Sequence, residues 1–214
     1  MSNEELLDIF NEKMEHIGTA TRGEVHKKGY WHKTFNCWIV RCEKDKTYLL
    51  FQLRAKNKAW FPNRLDATAG GHILAGERIE DSVRELKEEI GVKATLRNLV
   101  FLGIRADPFM YNGLINNEFY YTYLLEHYTP LSDYDIQAEE LAGIFQMEIK
   151  EGMRLFTNQI TKLELIGVKI EKGKKKMTKL EVSTEDFVES VDNYYLKILI
   201  MAERYFENKR PISI

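Results

Sequence analysis

The sequence predicts an α/β fold, and three observations predict it. Between residues 31 and 157 the chain breaks into short β-rich runs separated by turns. Inside that region Ile79, Val83, Leu86 and Ile90 repeat at helical spacing. A second helical stripe, Phe187, Val191, Tyr194, Tyr195, Ile198, Leu199, Ala202 and Phe206, lies near the end of the chain.

Taken in order, residues 1–30 are polar and ambiguous: Glu4 to His16 reads either as a helix or as a short strand around Leu6–Phe10 with a turn. Phe35–Arg41 and Lys46–Leu53 read as strands paired across a charged turn. The helix carrying Ile79 to Ile90 comes next and stops at Gly91, with Val92 returning to the core. Val100–Ile104 and Phe119–Leu125 read as two further strands around the loop DPFMYNGLINN. Ala138–Ala142 and Met153–Thr157 look helical. Leu163–Ile170 and Met177–Val182 form a second hairpin with the tip EKGKKK, and Ser183-Thr184-Glu185-Asp186 starts the final helix. Three zones follow: an N-terminal extension over 1–30, a domain over 31–157, and a hairpin with helix over 158–214 belonging to the same unit.

Composition narrows the function. At 214 residues the chain can bury a sizeable core, and 44% hydrophobic with 30% charged residues is ordinary for a soluble protein. A net charge of −2 gives no global attraction to nucleic-acid polymers. No apolar run approaches the roughly 20 residues that span a bilayer. The opening MSNEELLDIF is acidic where a secretory signal would be basic, so a cytoplasmic location is expected. Cys37 and Cys42 have neither CxxC spacing nor a partner pair, which argues against a disulfide framework or a zinc cluster of cysteines.

The chemistry concentrates in GGHILAGERIEDSVRELKEEIGV, residues 70–92. Glu85, Glu88 and Glu89 fall within an arc of roughly 100° on the helix, away from the apolar stripe. Like charges at i,i+4 spacing destabilise an isolated helix by about 0.2–0.5 kcal/mol, unless a hard divalent cation sits among them. Gly70-Gly71 would permit a sharp turn whose carbonyl points at the same ion, and Arg84, four residues before Glu88, would orient the carboxylates.

This string resembles the Nudix box. Arg84-Glu85-Leu86-Lys87-Glu88-Glu89-Ile90-Gly91-Val92 matches its second half at every defined position, and Gly71 with Glu77 matches the first. The join departs from the pattern: six residues separate Glu77 from Arg84 where the usual box has seven. The resemblance runs from about Trp31 to Phe156. It implies a mixed β-sheet sandwiched between α-helices, and hydrolysis of a nucleoside diphosphate derivative or similar organic pyrophosphate. It also implies Mg²⁺ or Mn²⁺ held by Glu85, Glu88 and Glu89 with a carbonyl of Gly70 or Gly71. It places Arg54 near the substrate phosphates and makes Glu118 a further loop carboxylate.

Other residues are read from their neighbourhoods. Trp60, beside Phe61-Pro62, is the tryptophan best placed for ligand contact, whereas Trp38 alternates within a strand and belongs to the core. His72 follows the glycines and so lies near the site; His26 and His32 are expected to be caps or packed polar groups. The lysines at 172 and 174–176 read as a solvated hairpin tip.

Two alternatives carry different chemistry. The chain is also similar to isopentenyl diphosphate isomerases, which use a cysteine immediately before Gly-His and a Glu-x-Glu pair. Here Gly70 and Asn116 occupy the first position of each. The other alternative is a nucleotide-sensing module without catalysis; the C-terminal hairpin and helix leave room for such a role or for a homodimer.

Overall fold

The computed structural model describes residues 4–111 and 113–214. Its centre is a mixed sheet in which β3 (Trp31–Glu43) pairs antiparallel with β4 (Lys46–Arg54) and parallel with β8 (Leu114–Glu126). From β4 the sheet continues through β9 (Leu141–Glu148), β10 (Leu163–Glu171) and β11 (Lys174–Val182). On the other side β3 pairs with β1 (Leu6–Phe10), which pairs with β2 (His16–Thr21). Short β5 (Leu65–Asp66) joins β4, β6 (Ala69–His72) joins β3, and β7 (Val100–Tyr111) joins β8. The helices are α1 (Arg22–Lys28), α2 (Arg84–Ile90), α3 (Ile149–Phe156) and α4 (Tyr194–Phe206).

Strand alternation divides the interior into two cores. Phe35, Cys37, Ile39 and Leu50 pack with Val83, Leu86 and Ile90 beneath α2. Trp38, Val40, Leu49 and Phe51 face the other way, onto Ile198, Leu199 and Ala202 of α4. The sheet is therefore covered on both faces, as expected. Burying Leu86 and Ile90 stabilises the α2 layer by roughly 1.5–3 kcal/mol for each side chain. Gly91 ends α2 in the left-handed region, at φ 73°, donating its N–H to Leu86 and Lys87 carbonyls.

Several elements differ from the sequence reading. Of the two readings of residues 4–16, the structure takes the strand, β1 at Leu6–Phe10, but pairs it with β2 and follows it with an unexpected helix, α1, which starts at the cap Thr21 and ends at Gly29 (φ 70°). Of the segment read as the loop DPFMYNGLINN, residues 107–111 belong to β7 and 114–117 to β8, which stay paired out to Tyr111 and Leu114. Residues 138–140 form a turn and Leu141 opens β9 rather than ending a helix. That strand lies between β4 and β10, so cross-strand partners override helix propensity.

The last helix begins about ten residues later than expected. Ser183 and Asp186 do form a capping box, but it caps a single 3₁₀ turn. Phe187 then inserts into the core, and Val188 donates its N–H to Leu65 at 2.9 Å, pulling the chain out of helix. Val191 is consequently exposed. The Lys172-Gly173 tip has positive φ at both residues (51° and 75°), the backbone of a tight two-residue turn.

Candidate active site

The box helix presents its carboxylates along a cleft beside β6. Glu85 and Glu89 are buried, at 5% and 3% exposure, whereas Glu88 stands at the exposed rim. Glu5 from the N-terminal extension and Glu140 before β9 line the same cleft. Burial first, and the Glu85 charge second, push the Glu89 carboxyl well above its ordinary value. Burial also raises Glu85, against the opposing charge of Arg84. Two neighbouring buried carboxylates are costly as anions alone and suit a divalent cation.

Arg84 ties this wall together. Its guanidinium reaches Glu77 at 3.1 and 3.3 Å, Glu88 at 3.3 Å and Glu85 more closely still, and donates toward the His72 carbonyl at 3.5 Å. Glu77 also accepts the Leu74 N–H at 2.9 Å. Within the shortened join, the 3₁₀ turn Asp81–Val83 leads directly into α2.

Gly70 and Gly71 do not make a sharp turn. Both lie in β6, paired with Asn36 and Phe35, and neither has positive φ. Glycine is needed there for close approach. A Cβ at Gly71 would stand 2.4 Å from the Glu85 carboxylate carbon, and one at Gly70 would stand 2.4 Å from Asn36 Oδ1. The two therefore face opposite sides of β6, and Gly70 donates its N–H to Glu89 Oε2 at 3.0 Å. Gly71→Ala is expected to displace Glu85 and lower turnover by about 10–100-fold. Thermal unfolding should show the fold retained and any cation-induced rise in Tm reduced.

Beyond β6 lies a second pocket, lined by Arg54, Trp60, His72, Glu118, Arg22 and Lys58 among others. Arg54 is held there by Asp66 at 3.0 Å and by the Trp60 carbonyl at 3.0 Å. The Trp60 ring stands 5.4 Å from His26 and 5.8 Å from Tyr111, forming an aromatic side wall. Glu118 is in strand β8 rather than a loop, and it lines this pocket instead of the carboxylate cleft. Burial pushes its carboxyl up, but the facing His32 and His72 rings and the Tyr120 hydroxyl outweigh that and hold it at about 2.

Of the two expectations for His26 and His32, packed polar groups holds: both rings are buried. His26, His32 and His72 converge beside Glu118, drawn from α1, β3 and β6. Burial lowers His26 to about 4 and His72 well below its ordinary value, with His32 adding to both shifts. Sequence spacing could not group these rings, because the grouping comes from ladder register: His32 pairs with Glu118, and Thr34 with both His72 and Tyr120. Glu140 and Lys58, joined by a close ion pair, were likewise missed, since nothing local marks either. Thr21 three residues before Glu24, with Gly29 beyond, was a readable signal for α1.

The NUDIX domain family matches residues 31–157. An uncharacterized Nudix hydrolase of Clostridium acetobutylicum is 41% identical over 201 residues, spanning 93% of this chain and 97% of that protein. An isopentenyl-diphosphate Delta-isomerase of Aliivibrio fischeri is 32% identical, over 65% of this chain and 78% of that protein. Among solved structures, a protein from Deinococcus radiodurans shares the fold at a TM-score of 0.55 and 20% identity, covering 72% of this chain and 90% of that one. With a box wall built as described and a family match over most of its length, the chain belongs to the Nudix hydrolases, enzymes of organic pyrophosphates that generally use divalent metals.

Proposed function

We propose that the protein hydrolyses the pyrophosphate bond of a nucleoside diphosphate derivative or a similar organic pyrophosphate by water attack at phosphorus. The observation that carries this reading is the pair of buried carboxylates Glu85 and Glu89, packed against the glycines Gly70 and Gly71 of β6. Their oxygen-only donor set, with Glu88 at the rim and a Gly70 or Gly71 carbonyl alongside, fits Mg²⁺ or Mn²⁺. Such an ion would neutralise diphosphate oxygens and acidify a bound water.

The chain's own residues then have distinct tasks. Arg84 fixes the orientation of Glu85 and Glu88 through its fork of donors. Arg54, held by Asp66, supplies positive charge toward the phosphates, and Trp60 offers a flat face to the group they carry. His72 stands between cleft and pocket, where it can help position the bridging phosphates. One glutamate, in the cluster or at Glu118, takes the proton from the attacking water.

The isomerase relationship supports a second reading, but two substitutions weigh against it. A cysteine at position 70 would place its Cβ 2.7 Å from the Phe35 carbonyl and closer still to Asn36, so this backbone has no room for one. Where the isomerase pattern has its first loop glutamate stands Asn116, which donates to Glu118 at 2.6 Å. A screen of nucleotide sugars, dinucleotides, nucleoside di- and triphosphates and isoprenoid diphosphates with Mg²⁺ or Mn²⁺ tests the choice. Release of phosphate-containing products supports hydrolysis; double-bond migration without hydrolysis, or binding without product, rejects it.

A further inference from the structure

We propose that Val188, from the segment linking the β10–β11 hairpin to α4, limits the size of the organic group that the pocket beside β6 accepts. This inference rests on the pyrophosphate reading for what fills the pocket. Val188 lies far beyond the box in sequence, yet it lines that pocket together with Arg54, Trp60, Phe61 and Asp66. Every other lining side chain is aromatic, polar or charged, or is glycine. An aliphatic side chain there makes no hydrogen bond and carries no charge, so it selects by shape and exclusion.

The backbone that delivers Val188 is fixed on both sides. Its N–H donates to the Leu65 carbonyl at 2.9 Å, and its carbonyl accepts from the Tyr195 hydroxyl at 2.9 Å. Phe187 is buried next to it and bridges to Leu65 of β5. Arg105 of β7 holds the following residues, donating to Ser190 at 2.9 Å and standing 3.3 Å from Asp192. Arg105 is itself anchored by Asp107 at 2.8 Å, and its guanidinium lies 4.5 Å from the Tyr194 ring centroid. Residues 187–192 therefore form a strap clamped to β5, β7 and α4. A side chain that discriminates between ligands needs such a rigid support.

Phe61 marks the same pocket from a second element. Its φ of 46° is left-handed, a conformation that bulky side chains rarely adopt and that clusters at ligand clamps. Its ring stands 5.2 Å from Phe109 and 4.5 Å from Tyr111, so β7 braces this wall as well. The cavity is about 120 Å³, below the roughly 300 Å³ at which pockets enclose a drug-sized ligand. Val188 also lines a neighbouring hollow with Phe109, Phe156 and Tyr195, so its side chain separates the two spaces. Removing its methyls would join them, and a longer side chain would shrink the smaller one.

The test uses the full chain, Mg²⁺ and the methyl, phenyl and uridine esters of methylenediphosphonate, whose carbon bridge resists hydrolysis. Calorimetry gives the affinity of each. Wild type should bind the methyl ester more tightly than the uridine ester. Val188→Ala should raise the uridine-to-methyl affinity ratio by about 10-fold, and Val188→Leu should lower it by about 10-fold. Val191→Ala, at an exposed position on the same strap, should keep the wild-type ratio. A merely structural role for Val188 predicts that both of its variants weaken all three esters in proportion. That outcome, a wild-type ratio in both variants, or no binding of any ester would overturn the inference. Ratios shifted in opposite directions, without phosphate release from the matching diphosphate esters, would support it while rejecting hydrolysis.

Discussion

Glu89→Gln is expected to abolish metal-dependent turnover while leaving the fold intact. Glutamine keeps the length and helix propensity of glutamate, and its amide oxygen can still accept the Gly70 N–H now bonded at 3.0 Å. The change removes the charge that would hold a cation. Glu88→Gln should lose turnover as well, although Glu88 is exposed and its replacement hardly touches packing. Metal-free stability should stay level or rise by about 0.2–0.5 kcal/mol in Glu89→Gln, because the i,i+4 repulsion with Glu85 disappears. The pH dependence has a definite sign. Burial first and Glu85 second raise the folded-state pKa of Glu89 well above 4.5, so above that pH the folded chain retains a proton that the unfolded chain has released. Stability of the metal-free protein therefore falls as pH rises from about 4.5, and the glutamine variant lacks this contribution. Product assays and melting curves at several pH values check both statements. A surface role predicts full activity, and a structural salt-bridge role predicts a less stable metal-free variant.

Trp38→Ala should produce the largest loss of stability, about 3–5 kcal/mol. Trp38 is fully buried on the face of β3 opposite α2. Its ring stands edge-on to Phe51 at 5.1 Å and to Tyr195 at 6.0 Å, and its indole N–H donates to the Tyr194 hydroxyl at 3.1 Å. One side chain therefore joins the central sheet to the start of α4. Removing it opens a cavity and leaves the Tyr194 hydroxyl short of a donor in a buried setting. Urea unfolding monitored by circular dichroism should show a lower midpoint. A change below about 1 kcal/mol would mean that α4 is held elsewhere.

Local chemistry was legible in the sequence, and distant pairing was not. The box helix, its Gly91 stop, the β3–β4 pair and the β10–β11 hairpin all follow from spacing and turn residues within a few positions. The carboxylates of α2 were legible for the same reason. By contrast, β9 and the outer halves of β7 and β8 exist because partner strands satisfy their backbones, which no window of sequence displays. Gly70 and Gly71 were recognised as special, but for a turn. Their actual role, making room for Asn36 and Glu85, depends on where β3 and α2 come to rest. The histidine cluster was hidden most completely, because its members lie 6 and 40 residues apart: ladder register joins His32 and His72, and α1 brings in His26.

Hydrolysis in ¹⁸O-labelled water tests the central claim most directly, using the substrate that the screen yields. Mass spectrometry of the products should show one ¹⁸O on a phosphate-containing fragment. Label should appear only with a divalent cation present and should be lost with Glu89→Gln. Unlabelled phosphate products, or label in the organic fragment, would place the attack at carbon and contradict water attack at phosphorus; label in Glu89→Gln equal to wild type would remove the carboxylate cleft from the reaction.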